Sequence, residues 1–219
     1  MADQNIHIPA FREALEQMDK ARCVRLSLSM LDQKSFDVAG LYTQVLAPAL
    51  NSMTESEDRQ PAAIWREHVR SAIIRTIIEC AYPYVLAESE ARADRQDKGK
   101  VVIVSPSDEF HELGARMGSD FFLLCGYKTI FVGSNTPKAD MLKGLELEQP
   151  DYVVINVVNY YNLLKVQGIV AEIRQLWPQL RILASGYAFN HDPELVHRIG
   201  ALSVIRTIED IYALEVKPS

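Results

Sequence analysis

The sequence predicts an α/β protein: an N-terminal helical bundle followed by a doubly wound, five-stranded parallel sheet. Three observations predict it. From Pro9 to about Glu90 apolar residues recur three and four positions apart, as on amphipathic helices, and no strand pattern interrupts them. The charged stretch ESEARADRQDKGK, Glu88 to Lys100, then breaks that pattern. After it, five short apolar runs alternate with helical segments, as a parallel sheet with crossover helices requires. The 219 residues give room for one large domain or two small ones, and 48% hydrophobic residues suffice for a core. The expected division is a helical bundle over residues 1–90, a charged linker over 91–100 and a Rossmann-like domain over 101–219.

In the first half, IPAFREALEQMDKARCVRLSLSML and SFDVAGLYTQVLAPALNSM carry the helical spacing, and Ser35-Phe36-Asp37 reads as a helix start. A third segment, QPAAIWREHVRSAIIRTIIECAYPYVLAESEA, opens at Pro61, which suits a first helical turn. Pro83 is expected to kink or break it. Three or four helices with short connections make a small bundle. In the second half VVIV (Val101–Val104) is apolar without alternation, like a strand buried on both faces. HELGARMGSDFFLLCG is helical and stops at Gly126. KTIFVG is the second strand and PKADMLKGLELEQ a helix opened by Pro137. YVVINVV, RILAS and LSVI supply the remaining strands; NLLKVQGIVAEIRQLW, DPELVHRIG and IEDIYAL supply the helices that follow them. Right-handed crossovers place helices on both faces, which makes the domain flavodoxin-like.

Composition excludes several classes. A net charge of −6 with no clustered basic stretch argues against gripping a nucleic-acid backbone directly. Cys23, Cys80 and Cys125 are far apart and have no metal-ligand spacing, which fits reduced thiols. The polar N-terminus MADQNIHIPAFREALEQ is not a signal peptide, and no apolar run approaches the roughly 20 residues of a membrane span. A soluble, cytoplasmic protein is expected. Neither GxGxxG nor a phosphate-loop pattern occurs, so neither dinucleotide nor nucleoside triphosphate is favoured.

In doubly wound sheets, ligands bind outside the carboxyl ends of the strands, near the switch in strand order. That rule selects three loops: Ser105–His111 (SPSDEFH), Asn156–Asn162 (NVVNYYN) and Ser185–Asn190 (SGYAFN). His111 stands where a helix should begin, and the positive end of the helix dipole there favours a neutral imidazole, available as a metal ligand. Glu109 or Asp108 can accept a hydrogen bond from its other ring nitrogen and orient it. The plain alternative is a polar residue of the first turn beside capping acids. No CxxC, HxxxH or carboxylate cluster completes a zinc site, so a single histidine would serve a metal already held in a macrocycle.

A helical bundle, a charged linker and a five-stranded domain with a histidine after its first strand resemble the cobalamin-binding module. That module occurs in corrinoid methyl-carrier proteins and in cobalamin-dependent light-sensing regulators. The family's Asp-x-His-x-x-Gly appears here as EFHELG, Glu109 to Gly114, with a glutamate in place of the aspartate. The resemblance implies that His111 displaces the cofactor's benzimidazole and ligates cobalt from below, with Glu109, Phe110 and Gly114 beside it. The family's Ser-x-Leu corresponds to Asn156–Val158, and its paired glycines to Ser185 and Gly186, followed by Tyr187; these positions line the nucleotide-tail pocket. The departures keep residues that are small or polar. The resemblance covers about residues 8 to 215.

Trp65, His68 and Ala72 share one helix face by their spacing. The sensor branch carries a Glu-His pair on this helix, matched by Glu67–His68. The resemblance implies that the bundle caps the cofactor's upper side and that His68 can bind cobalt once the upper ligand is lost. The sensor branch's tryptophan, ten residues before the glutamate, corresponds to Glu57. The plain alternative makes Trp65 core packing and His68 an interfacial polar residue. Tyr160, Tyr161 and Tyr187 either edge the pocket or lie on the surface.

The expected function is a cobalamin-binding sensor or regulatory protein, light-responsive in the manner of photoreceptors of transcription regulation. With no DNA-binding segment in this sequence, it would act through a partner protein or through its own homo-oligomeric state. The first alternative is a corrinoid carrier, a non-catalytic subunit serving methyltransferases. The second is a degenerate module binding another planar cofactor or only protein. The cofactor expected is adenosyl-, methyl- or hydroxocobalamin, and the enzyme question stays open with no catalytic residue assigned.

Overall fold

The computed structural model describes residues 4–56, 62–92, 97–189 and 195–214, so Glu57, Pro61 and Asn190 lie outside the described residues. The chain forms two compact units, Met1–Ala91 and Arg92–Ser219.

The first unit is helical. Helix α1 spans Gln4–Glu16 and α2 Lys20–Asp32. A short α3, Val38–Gly40, passes through a wider turn, Leu41–Leu46, into α4, Ala47–Ser56. Helix α5 covers Ala63–Ala91. Local chemistry sets the starts: Asp19 accepts the Arg22 amide at 2.9 Å and Asp37 accepts the Gly40 amide at 2.7 Å. The second cap puts the helix start at Asp37, the last residue of the expected Ser35-Phe36-Asp37 start. Phe11, Met30, Leu41, Tyr42, Leu46 and Ile77 are fully buried, each worth about 1.5–3 kcal/mol of transfer free energy. Arg70, also buried, pairs with the Glu16 carboxylate at 2.6 Å.

Pro83 does not break α5, which runs uninterrupted through it. Ala81 and Val85 on either side are fully buried and hold the helix to the core. Pro83 and Glu79 are both exposed, so the hydrogen bond that proline cannot donate is lost at the outer side of the helix.

The second unit alternates strictly. Its elements are β1 (Lys100–Pro106), α6 (Leu113–Leu124), β2 (Lys128–Thr136), α7 (Lys138–Glu148), β3 (Tyr152–Asn156), α8 (Leu163–Leu176), β4 (Arg181–Ser185), α9 (Leu195–Arg198), β5 (Ser203–Ile205) and α10 (Ile208–Tyr212). The five strands are parallel in the order β2-β1-β3-β4-β5. This is the predicted doubly wound sheet, and its order reverses between β1 and β3. On one face Val102, Val104, Val153, Ile155 and Ile182 pack with Val166, Val170 and Ile173 of α8. The alternate residues Val101, Ile103, Val154 and Leu183 are buried on the other face, where α6 lies over β1 and β2 and contacts α10. Cys23 and Cys125 are buried and Cys80 partly so; burial raises the Cys23 thiol to about 11, which keeps it protonated. No helix among the described residues is long and apolar enough to cross a membrane.

Candidate functional site

The strand order reverses between β1 and β3, and at their carboxyl ends the loop after β1 is tied down by several hydrogen bonds. Asp108 adopts a left-handed conformation (φ 66°) and its amide donates to Asn135 Oδ1 at 2.9 Å. The Asn135 amide in turn donates to the Glu109 carbonyl at 2.8 Å. Lys165 of α8 pairs with the Asp108 carboxylate. Asn162 Nδ2 donates to the Asp108 carbonyl at 3.2 Å. These ties turn Glu109 fully inward (0% exposed) and leave Phe110 and His111 outside, the His111 side chain 58% exposed.

Glu109 is the organising group. Its Oε1 accepts from His111 Nδ1 at 2.7 Å and from the His111 amide at 3.2 Å. Its Oε2 accepts from the Val158 amide at 2.9 Å, the Asn159 amide at 2.8 Å and Asn162 Nδ2 at 3.3 Å. Burial by itself would raise its pKa; the bond from His111, then those from the Asn159, Val158 and His111 amides, outweigh it and pull the value down to about 2. The carboxylate is therefore an anion that can only accept. The proton of the pair sits on His111 Nδ1, which assigns the neutral ring's lone pair to Nε2. Of the two acids considered from sequence, Glu109 orients the histidine and Asp108 does not.

His111 lies just before α6, not in its first turn. Its carbonyl is taken by Asn156 Nδ2 at 2.9 Å, so the helix ladder begins with the Glu112 carbonyl, bonded by the Arg116 amide at 2.8 Å. Glu109, rather than the helix dipole, sets the imidazole. Asn156 is buried and works as a brace: the same Nδ2 donates to Ser105 Oγ at 3.0 Å, and its Oδ1 accepts from Ser185 Oγ at 3.4 Å. Gly186 has φ 102°, and an added Cβ would stand 2.3 Å from the Val157 carbonyl oxygen. Gly186→Ala is expected to lower the unfolding free energy by about 2–3 kcal/mol in urea titration, from left-handed strain plus that contact. Val158 is half-buried, and Tyr160, Tyr161 and Tyr187 are exposed.

The flank of α6 next to the histidine's loop is open. A Cβ at Gly114, or at Gly118 one turn on, would meet no heavy atom within 4 Å. No group of three or more His, Cys, Asp and Glu side chains suited to a metal ion occurs among the described residues. A single imidazole with an open flank fits a metal that brings its other donors with it. In the first unit, Trp65 is 60% exposed and shares an outward face of α5 with His68 and Ala72, while Glu67 is half-buried. Trp65 is thus not core packing.

Sequence reasoning missed Asn162 and Asn135 as site residues. Asn162 ends the quoted loop NVVNYYN, and its placement after a buried strand was the available signal. Asn135 carried none beyond its position at the end of the second strand.

A family model described as the B12 binding domain matches residues 99–214. Among solved structures, the chain is similar to the monomethylamine corrinoid protein of Methanosarcina barkeri, at 11% identity over 92% of this chain and 93% of that one, with a TM-score of 0.75. At that identity the likeness shows the fold alone. A cobalamin-binding protein of Desulfitobacterium hafniense DCB-2 matches at 16% identity over 93% and 94%, with a TM-score of 0.45. The methanol:cobalamin methyltransferase complex of Methanosarcina barkeri matches at 15% over 94% and 76%, with a TM-score of 0.48. These two lower scores carry no further weight. Among curated proteins, none matches.

Proposed function

Because the chain belongs to the B12-binding domain family, whose cofactor is a corrinoid, we propose that it is a corrinoid carrier and that His111 is the lower cobalt ligand. The observation that carries the ligand assignment is the 2.7 Å bond between His111 Nδ1 and the buried Glu109 carboxylate, which leaves Nε2 as the donor atom. Glu109 holds the ring in one orientation and one tautomer, and Asn156 and Asn162 fix the loop that bears both. Phe110, Gly114, Val158, Ser185, Gly186 and Tyr187 are the proposed contacts for the rest of the cofactor. When bound, the corrinoid supplies the cobalt that takes up and gives away a methyl group. A carrier of this kind serves a separate methyltransferase, so a protein partner is part of the proposal. The whole-length fold likeness to a corrinoid protein supports this reading; sequence alone placed the sensor first.

The sensor remains the second reading, favoured by Glu67–His68 and by the exposure of Trp65 and His68 on α5. One experiment separates the two. The purified protein is mixed in the dark with adenosyl-, methyl- and hydroxocobalamin, and absorption spectra are taken before and after green light, for the wild type and His68→Ala. Binding of all three forms with spectra indifferent to His68 is the expected carrier result. A light-converted species whose spectrum changes in His68→Ala would move the assignment to a sensor. Failure of every form to bind would overturn both.

A further inference from the structure

Helix α5 carries two stripes. The inner one, with Ile73, Ile74, Ile77, Ala81 and Val85, is buried in the bundle. The outer one, His68, Ala72, Arg75, Glu79, Tyr82 and Leu86, lies on nearly the opposite side and is exposed at every position. Its spacing alternates between four and three residues, the period of a coiled-coil seam. A helix packed on one bundle needs only the inner stripe. An exposed tyrosine and leucine, with Ile64 and Trp65 beyond one end of the stripe, mark the outer stripe as an interaction face.

We propose that this stripe is the seam of a homodimer in which α5 packs antiparallel against α5 of a second copy. The charge and size order of the stripe carries the argument. In the antiparallel register that sets Arg75 against Glu79 of the second copy, two-fold symmetry also sets Glu79 against the second copy's Arg75. That one register places Ala72 opposite Tyr82, small against large, and His68 opposite Leu86, each twice. A parallel pairing fails: it stacks arginine on arginine, glutamate on glutamate and tyrosine on tyrosine. From His68 to Leu86 the seam is about 27 Å long at 1.5 Å per residue, enough for several layers of side chains. The inference rests on the first unit alone and is independent of the corrinoid reading.

Charge swaps test it. Arg75→Glu and Glu79→Arg each set like charges against each other twice across the seam, and the double variant restores both pairs. The full-length chain and these variants are compared by sedimentation velocity from low micromolar to several hundred micromolar, with and without hydroxocobalamin, after circular dichroism shows each is folded. The wild type is expected at twice the chain mass, each single variant with a dissociation constant raised about tenfold or more, and the double variant within about threefold of the wild type. A monomer at every concentration overturns the proposal. So does a dimer indifferent to both single reversals, or a double variant no tighter than the singles.

Discussion

Replacing His111 with alanine is expected to weaken corrinoid binding by about a hundredfold or more, because the only nitrogen offered to the cobalt from the loop is lost. The spectrum of added methylcobalamin should stay that of the free cofactor or shift to one without a nitrogen below the metal. The fold should survive, since the His111 side chain is 58% exposed and its removal leaves Glu109 four of its five donors. Titration followed by absorbance checks both affinity and ligation. An unchanged affinity together with an unchanged spectrum would remove His111 from the site. Added imidazole offers a further control: partial return of the nitrogen-ligated spectrum would show that only the ligand was missing.

Glu109→Gln is expected to act on stability as well as on the cofactor. An amide in place of the carboxylate must turn its own NH2 toward a donor, either the His111 ring or the Val158 and Asn159 amides. The loss should be about 3 kcal/mol of unfolding free energy at neutral pH, in the range for breaking a buried ionic network and consistent with the lowered carboxyl. The sign with pH follows from the direction of that shift. A carboxyl at about 2 in the folded chain, against an ordinary 4.5, stabilises the fold fully above the ordinary value and loses this contribution as pH falls toward about 2. The gap between wild type and variant in urea titrations of the apoprotein should therefore narrow by about 2 kcal/mol between pH 7 and pH 3. A constant gap across that range would mean the carboxylate is not held anionic by its neighbours. Corrinoid affinity should fall roughly 10–100-fold, less than for His111→Ala, because the imidazole remains but is no longer fixed.

The sheet was legible because its strands are buried on both faces: Val101–Val104, Tyr152–Ile155 and Ile182–Ala184 are uniformly apolar, and glycines, prolines and polar caps separate them. Strand ends were less so. Val157 and Val158 continue the apolar run of β3 but leave the sheet, because the Val158 amide is drawn to Glu109. The end of β2 runs on to Thr136 because it pairs with the end of β1 through register shifts, which periodicity does not encode. Pro83 looked like a helix breaker, yet buried neighbours on both sides override local propensity there. In the site, His111 and Glu109 were legible through a short local motif. Asn135, Asn162 and the pairing of Lys165 with Asp108 were not, since each contact joins residues 26 to 57 positions apart and has no periodic trace.

The span of those contacts also bears on how the protein comes to be. Glu109 finds three of its five donors about fifty residues further along, at Val158, Asn159 and Asn162. Until β3 has docked beside β1, that carboxyl lacks these three donors and cannot fix the orientation of the His111 ring. The oriented imidazole is therefore a product of non-local assembly. During synthesis the loop sequence emerges before the residues that orient His111, so on the proposed function loading with cofactor would report completion of the sheet.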